Sequence, residues 1–101
     1  MIVRISKEAE FDLANGFWFY ENQESGLGNR FRESIKSDIR SLEMQGGTHP
    51  KRFGYHRMVC RKFPFSIYYQ LESVGSLTVI AVFSQRRGKQ WITDRLGGNA
   101  E

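Results

Sequence analysis

The stretch Leu77–Ser84, LTVIAVFS, constrains the fold more than any other part of the chain. A strand sends successive side chains to opposite faces, and here both faces are apolar. Such a strand belongs inside a sheet, covered on both sides. Helices can cover one face. The chain's own tail or a partner must then cover part of the other.

Two further strands lead into it. Phe53–Arg61 and Phe63–Glu72 carry the β-branched and aromatic residues expected of strands, and Val74-Gly75-Ser76 supplies a tight turn before Leu77. Phe63, Phe65, Ile67, Tyr69 and Leu71 fall on one face by alternation. Pro64 marks an edge or a strand entry. In Phe53–Arg61, alternation puts Tyr55, Arg57 and Arg61 on one face. His56, Met58 and Cys60 take the other, toward the helices.

The cover for one face is written upstream. Met1–Ile5 reads as a short strand. Ser6 is placed to cap a helix over Lys7–Asn22, with Glu8 in its first turn. Ala9, Leu13, Phe17 and Tyr20 make one stripe. Phe11 and Trp18 point nearly opposite, so this helix is apolar on two sides: either a wide core face or a partner-binding patch. Gly26-Leu27-Gly28 marks a turn into a second helix, Leu27–Met44. Its stripe of Leu27, Phe31, Ile35, Ile39 and Leu42 opposes a charged side, and Gly46-Gly47 ends it. Short connection and matched stripes predict a helical hairpin. The fold class is therefore α+β: an N-terminal strand, a helical hairpin, then a three-stranded antiparallel sheet. Its 101 residues make one domain over 1–101, with a tail from about 92 read as flexible.

The chain is basic, with 15 Lys+Arg against 11 Asp+Glu and a net charge of +4. That balance favours anionic partners. The tail opens on Arg86, Arg87 and Lys89 and includes Trp91. With Tyr55, Arg57 and Arg61 it gives a candidate surface of arginines and rings, suited to phosphates and unstacked bases; the alternative is an ordinary solvated basic face. Phe11, Trp18, Ile80 and Val82 are the candidate partner-binding residues, as apolar surface beyond what one small core uses. No cofactor is expected: the chain has no phosphate-binding glycine loop. No metal is expected either, since His49, His56 and Cys60 lack a ligand spacing. No nucleophile–base pair stands out. One cysteine, no apolar leader and no stretch of roughly 18 apolar residues predict a cytoplasmic protein without a membrane span.

Several stretches, taken in order, resemble the RelE/ParE family of toxins. They are Glu10-Phe11-Asp12-Leu13 with Tyr20-Glu21, and Gly26-Leu27-Gly28-Asn29-Arg30-Phe31. Then come Arg61-Lys62-Phe63-Pro64-Phe65-Ser66-Ile67-Tyr68-Tyr69, and Ala81-Val82-Phe83-Ser84-Gln85-Arg86-Arg87 followed by Trp91. The likeness spans about residues 3–95. Ser84 stands where the family often has histidine, and Gly88-Lys89 where it has Asp-Pro. The resemblance implies the toxin of a type II toxin–antitoxin system, held in a hetero-oligomer by a cognate antitoxin that is small, acidic and encoded next door. The hairpin and the Arg86–Trp91 ending look ParE-like, implying inhibition of DNA gyrase without chemistry of its own. The alternative is a RelE-like, metal-free endoribonuclease cutting mRNA on the ribosome; a further alternative is a non-toxic basic nucleic-acid-binding module.

Overall fold

The computed structural model describes residues 1–97. The elements run β1 (Ile2–Ile5), α1 (Lys7–Glu21), α2 (Leu27–Gln45), β2 (Lys51–Arg52), β3 (Tyr55–Val59), β4 (Phe65–Ser73), β5 (Ser76–Ser84) and α3 (Lys89–Arg95). All five strands form one sheet in the order β1-β5-β4-β3-β2. Strands β2 to β5 pair antiparallel, whereas β1 lies parallel to β5, from Ile2 opposite Ser76 to Ile5 opposite Val79. The sheet thus has five strands where the sequence reading has a three-stranded antiparallel one.

The helical hairpin forms as expected and covers one face. Ser6 Oγ caps α1 by accepting from the Ala9 N–H at 3.0 Å. Phe31, Ile35 and Leu42 of α2 are fully buried against Ile67 and Tyr69 of β4 and Leu77 and Val79 of β5. The two helices meet at Gly16, where an added Cβ would lie 2.5 Å from the Phe31 ring. The entry to α2 has no side-chain cap of its own. Instead Glu21, at the end of α1, accepts from the N–H groups of Gly26 and Gly28 at 3.0–3.1 Å, satisfying donors that a helix start leaves open.

The second face is covered by the chain's own tail. Ile92 and Leu96 pack with Phe53, Tyr68, Ala81 and Phe83 into a second core. The segment read as flexible from about 92 is therefore helical through Arg95 and anchored by two buried side chains; residues 98–101 lie outside the described residues. β5 serves both cores by alternation, and a bulge resets that alternation part-way along. Tyr68 is opposite Ala81 and Tyr69 opposite Val79, so Ile80 is an extra residue. Leu77, Val79 and Val82 face the hairpin, while Ile80, Ala81 and Phe83 face α3.

Phe53 and Gly54 form the two-residue turn between β2 and β3, both with positive φ, 57° and 85°. A hairpin turn of this hand suits the strand twist. An aromatic residue is strained there; burial of the Phe53 ring in the second core holds it. Beyond β3 the chain bends, and β4 begins at Phe65, not Phe63. Pro64 has no N–H for the ladder, and the Cys60 N–H closes the bend onto the Phe65 carbonyl at 2.9 Å.

Candidate cationic site

On the α3 side of the sheet lies an open hollow of about 180 Å³. Four cations line it: Arg52 from β2, Arg57 from β3, Arg87 from the segment leading into α3, and Lys89 from the first turn of α3. Hydroxyls of Ser66, Tyr68 and Ser84 lie among them, and Phe53 and Ile92 supply apolar walls. Alternation explains the strand residues: Ser66 and Tyr68 point away from the hairpin because Phe65, Ile67 and Tyr69 point toward it.

The cations are oriented by their neighbours. Arg57 Nε donates to Ser66 Oγ at 3.2 Å. Arg87 stacks over the Trp91 ring at 4.2 Å, and Trp91 meets Phe83 edge-on at 5.0 Å between centroids. A guanidinium held flat by a ring keeps its donors free for an anion. Burial pushes the Tyr68 phenol above its ordinary range, although Arg57 and Arg52 pull it down; it stays a neutral hydroxyl. No lining residue is a carboxylate or an imidazole. Guanidinium groups remain protonated, so the arginines can grip a phosphate but cannot accept its proton.

The six residues expected at this surface separate. Arg57 and Arg87 line the hollow. Tyr55 packs against the second core beside it, and Trp91 backs Arg87. Arg61 and Arg86 are elsewhere. Arg61 sits at the β3–β4 bend, where its N–H donates to Asp38 Oδ2 on α2 at 3.2 Å. The Arg86 charge acts on Tyr20, whose ring packs on the hairpin side. Arg52 was not among the expected residues, and Lys89 was expected only as part of the basic opening of the tail. A hairpin turn at Phe53-Gly54 places Arg52 opposite Tyr55 and on the face of Arg57.

No family model matches the chain. No curated protein matches it either. Solved structures do. A chain of the chromosomal ParDE TA system from P. aeruginosa superposes with a TM-score of 0.74 at 13% identity, over 83% of this chain and 95% of that one. The chain has a RelE/ParE-like fold. A chain of the intact E. coli RelBE toxin–antitoxin complex superposes with a TM-score of 0.57 at 19% identity, over 85% of this chain and 98% of that one.

On this RelE/ParE-like fold three exposed aromatic residues lie on α1, while other exposed apolar residues are spread over the strands, α2 and α3. Phe11 is 67% exposed and Trp18 58%, with Phe19 beside them at 58%. Ile80 is half-buried under α3. Val82 is not surface at all: it is 1% exposed within the hairpin-side core, because the bulge at Ile80 returns it to that face. Val82 is therefore closed to a partner, whereas Phe11 and Trp18 on α1 are open to one.

Two other polar clusters lie away from the hollow. Cys60 is buried, and desolvation together with the nearby Asp38 pushes its thiol far up, which leaves it inert. Under the loop between α2 and β2, His49 Nδ1 lies 2.7 Å from the Tyr69 hydroxyl, and His56 stacks on the Tyr69 ring with its Nδ1 2.6 Å from the His49 carbonyl. Among the described residues no group of His, Cys, Asp and Glu is arranged to hold a metal, and no helix is long and apolar enough to cross a membrane.

Proposed function

We propose that this chain is the toxin of a type II toxin–antitoxin module, ParE-like in action: it arrests growth in the cytoplasm by acting on DNA gyrase, and a cognate antitoxin neutralises it. The observation that carries the reading is the superposition along 95% of a chain from a ParDE system, with a TM-score of 0.74. The hollow agrees with it. Four cations without a carboxylate or imidazole can hold a phosphate backbone, which suits a protein that grips a nucleic-acid–enzyme complex more than one that cleaves a bond. The exposed Phe11 and Trp18 suit an antitoxin segment that covers apolar surface, and acidic residues of that antitoxin would meet the basic side of the chain.

A second reading has its own support. Arg87 stacked on Trp91 beside Tyr68 is an arrangement that can bind an unstacked base and its phosphate. A ribosome-dependent endoribonuclease would use the same cations to stabilise charge on the breaking phosphodiester. One experiment separates the two. Purified chain is given to gyrase with supercoiled DNA, and to translating ribosomes. Inhibited supercoiling or trapped cleaved DNA with intact mRNA is expected. Cleaved mRNA with unaffected gyrase overturns the gyrase reading and establishes the second. Normal growth on induction of soluble chain overturns both.

A further inference from the structure

β1 pairs with only the first half of β5, ending at Ile5 opposite Val79. Beyond that point the edge of β5 is met by α1. The Ser6 N–H donates to the Val79 carbonyl at 2.9 Å, and Ser6 Oγ lies 3.4 Å from the Ile80 carbonyl. One and a half turns later, Asp12 Oδ2 accepts from the Val82 N–H at 2.9 Å. The same oxygen accepts from Arg95 Nη2 at 2.8 Å. Asp12 therefore joins a helix on one face of the sheet to a helix on the other, around an open strand edge.

The pair is well shielded, its side chains 13% and 22% exposed for Asp12 and Arg95, in contrast to the solvated Arg30–Glu24 pair at 3.5 Å. Burial nevertheless raises the Asp12 carboxyl above its ordinary value, outweighing Arg95, the Val82 N–H and Arg87. A carboxylate in that balance adds little to global stability. What it does supply is direction. α3 has seven residues, too few to hold a shape alone, and its apolar anchors, Ile92 and Leu96, supply only non-directional contacts. Arg95 adds a directional one. It lies over the Phe83 ring at 5.7 Å while bound to Asp12. Lys89, Ile92 and the Trp91 ring that supports Arg87 belong to the same short helix.

We propose that Asp12 is a positioning residue for the cationic hollow: through Arg95 it fixes α3, and α3 in turn fixes Arg87 and Lys89 over Arg52 and Arg57. The functional half of this inference rests on the reading of the hollow as the working site.

The test compares the unaltered chain with Asp12→Asn, which still offers an oxygen to the Val82 N–H, and with Arg95→Ala, which leaves Asp12 untouched. Amide hydrogen exchange across Lys89–Leu96 should accelerate about tenfold in both, while Phe31, Ile35 and Leu42 keep their protection. Inorganic phosphate, followed through the amide shifts of Ser84, Arg87 and Lys89, should bind roughly threefold or more weakly in both variants, and the double variant should be no worse than either alone. Unchanged exchange across Lys89–Leu96 in both variants overturns the role of Asp12, as does acceleration spread evenly over the whole chain. Failure of phosphate to bind the unaltered chain overturns the reading of the hollow, and the exchange comparison still decides whether Asp12 holds α3.

Discussion

The Glu21 carboxylate at the end of α1 caps Gly28 at the start of α2, with Oε1 3.0 Å from the Gly28 nitrogen. The same carboxylate takes the Gly26 N–H. One side chain thus closes the hairpin turn and starts the next helix. Glu21→Ala leaves both donors without this acceptor and should destabilise the fold by about 1–2 kcal/mol, as read from the midpoint of urea unfolding at constant slope. Glu21→Gln, which keeps one acceptor oxygen, should recover part of the loss.

Gly16→Ala tests the helix contact. In an open helix this change would stabilise by up to about 1 kcal/mol through propensity. Here the new methyl would lie 2.5 Å from the Phe31 ring, which is fully buried and has no room to retreat. Overpacking of that kind costs about 1–3 kcal/mol, so the net sign is destabilising. Thermal unfolding of the variant checks it; a higher melting temperature would show that the helices separate freely.

The His49–Tyr69 contact makes stability fall with acid. Burial, aided by the charge His56 would carry, holds the His49 imidazole below its ordinary pKa. The Tyr69 hydroxyl already accepts the Gly47 N–H at 2.9 Å and is free to donate its own proton to His49 Nδ1. A protonated His49 would instead bring a second donor to that oxygen. For a histidine depressed in the folded state, the stability is in full above about pH 6.5, its unfolded pKa, and is lost as pH falls through the folded pKa. Melting temperatures between neutral and mildly acid pH should decline in the unaltered chain, and the decline should be shallower in His49→Gln.

Toxicity on induction should follow the hollow and not the count of arginines. Arg57→Ala and Arg87→Ala each remove a lining cation; a hydrogen bond to a charged group is worth ~1.5–3 kcal/mol, so each should weaken growth arrest by about tenfold or more. Arg61→Ala and Arg86→Ala remove cations that do not line the hollow and should leave growth arrest close to that of the unaltered chain. Colony counts after matched soluble expression decide; equal loss from all four would mean that net charge alone matters.

Trp18→Ala addresses the partner. Trp18 is more than half exposed and meets Phe17 edge-on at 4.9 Å, so its removal spares both cores. On the proposed function, Trp18→Ala should lower the affinity for a cognate antitoxin by roughly 1–3 kcal/mol. Calorimetry with the product of the neighbouring gene measures it, and an unchanged affinity would take α1 out of the interface.

The architecture was legible wherever a period was unbroken. The stripe Phe31-Ile35-Ile39-Leu42 placed α2, and the two-faced apolar run of β5 demanded cover on both sides, which the hairpin and α3 supply. Alternation failed where the backbone broke it. The extra residue at Ile80 returned Val82 to the hairpin side, and the Phe53-Gly54 turn hid Arg52 from a strand read as starting at Phe53. Asp12 was illegible for another reason. Its partners, Val82 and Arg95, are 70 and 83 residues away, and no local pattern encodes a contact made around the edge of a sheet.

The parallel seat of β1 beside β5 dictates an order of events in synthesis. Ile2 waits for Ser76, a separation of 76 − 2 = 74 residues, whose closure costs about 4 kcal/mol of chain entropy before any contact offsets it. The α1–α2 hairpin and the β3–β4–β5 meander join neighbours in the chain and can assemble first. The first of the five strands to be synthesised is thus the last to find its place, and the sheet is complete only once β5 has been made.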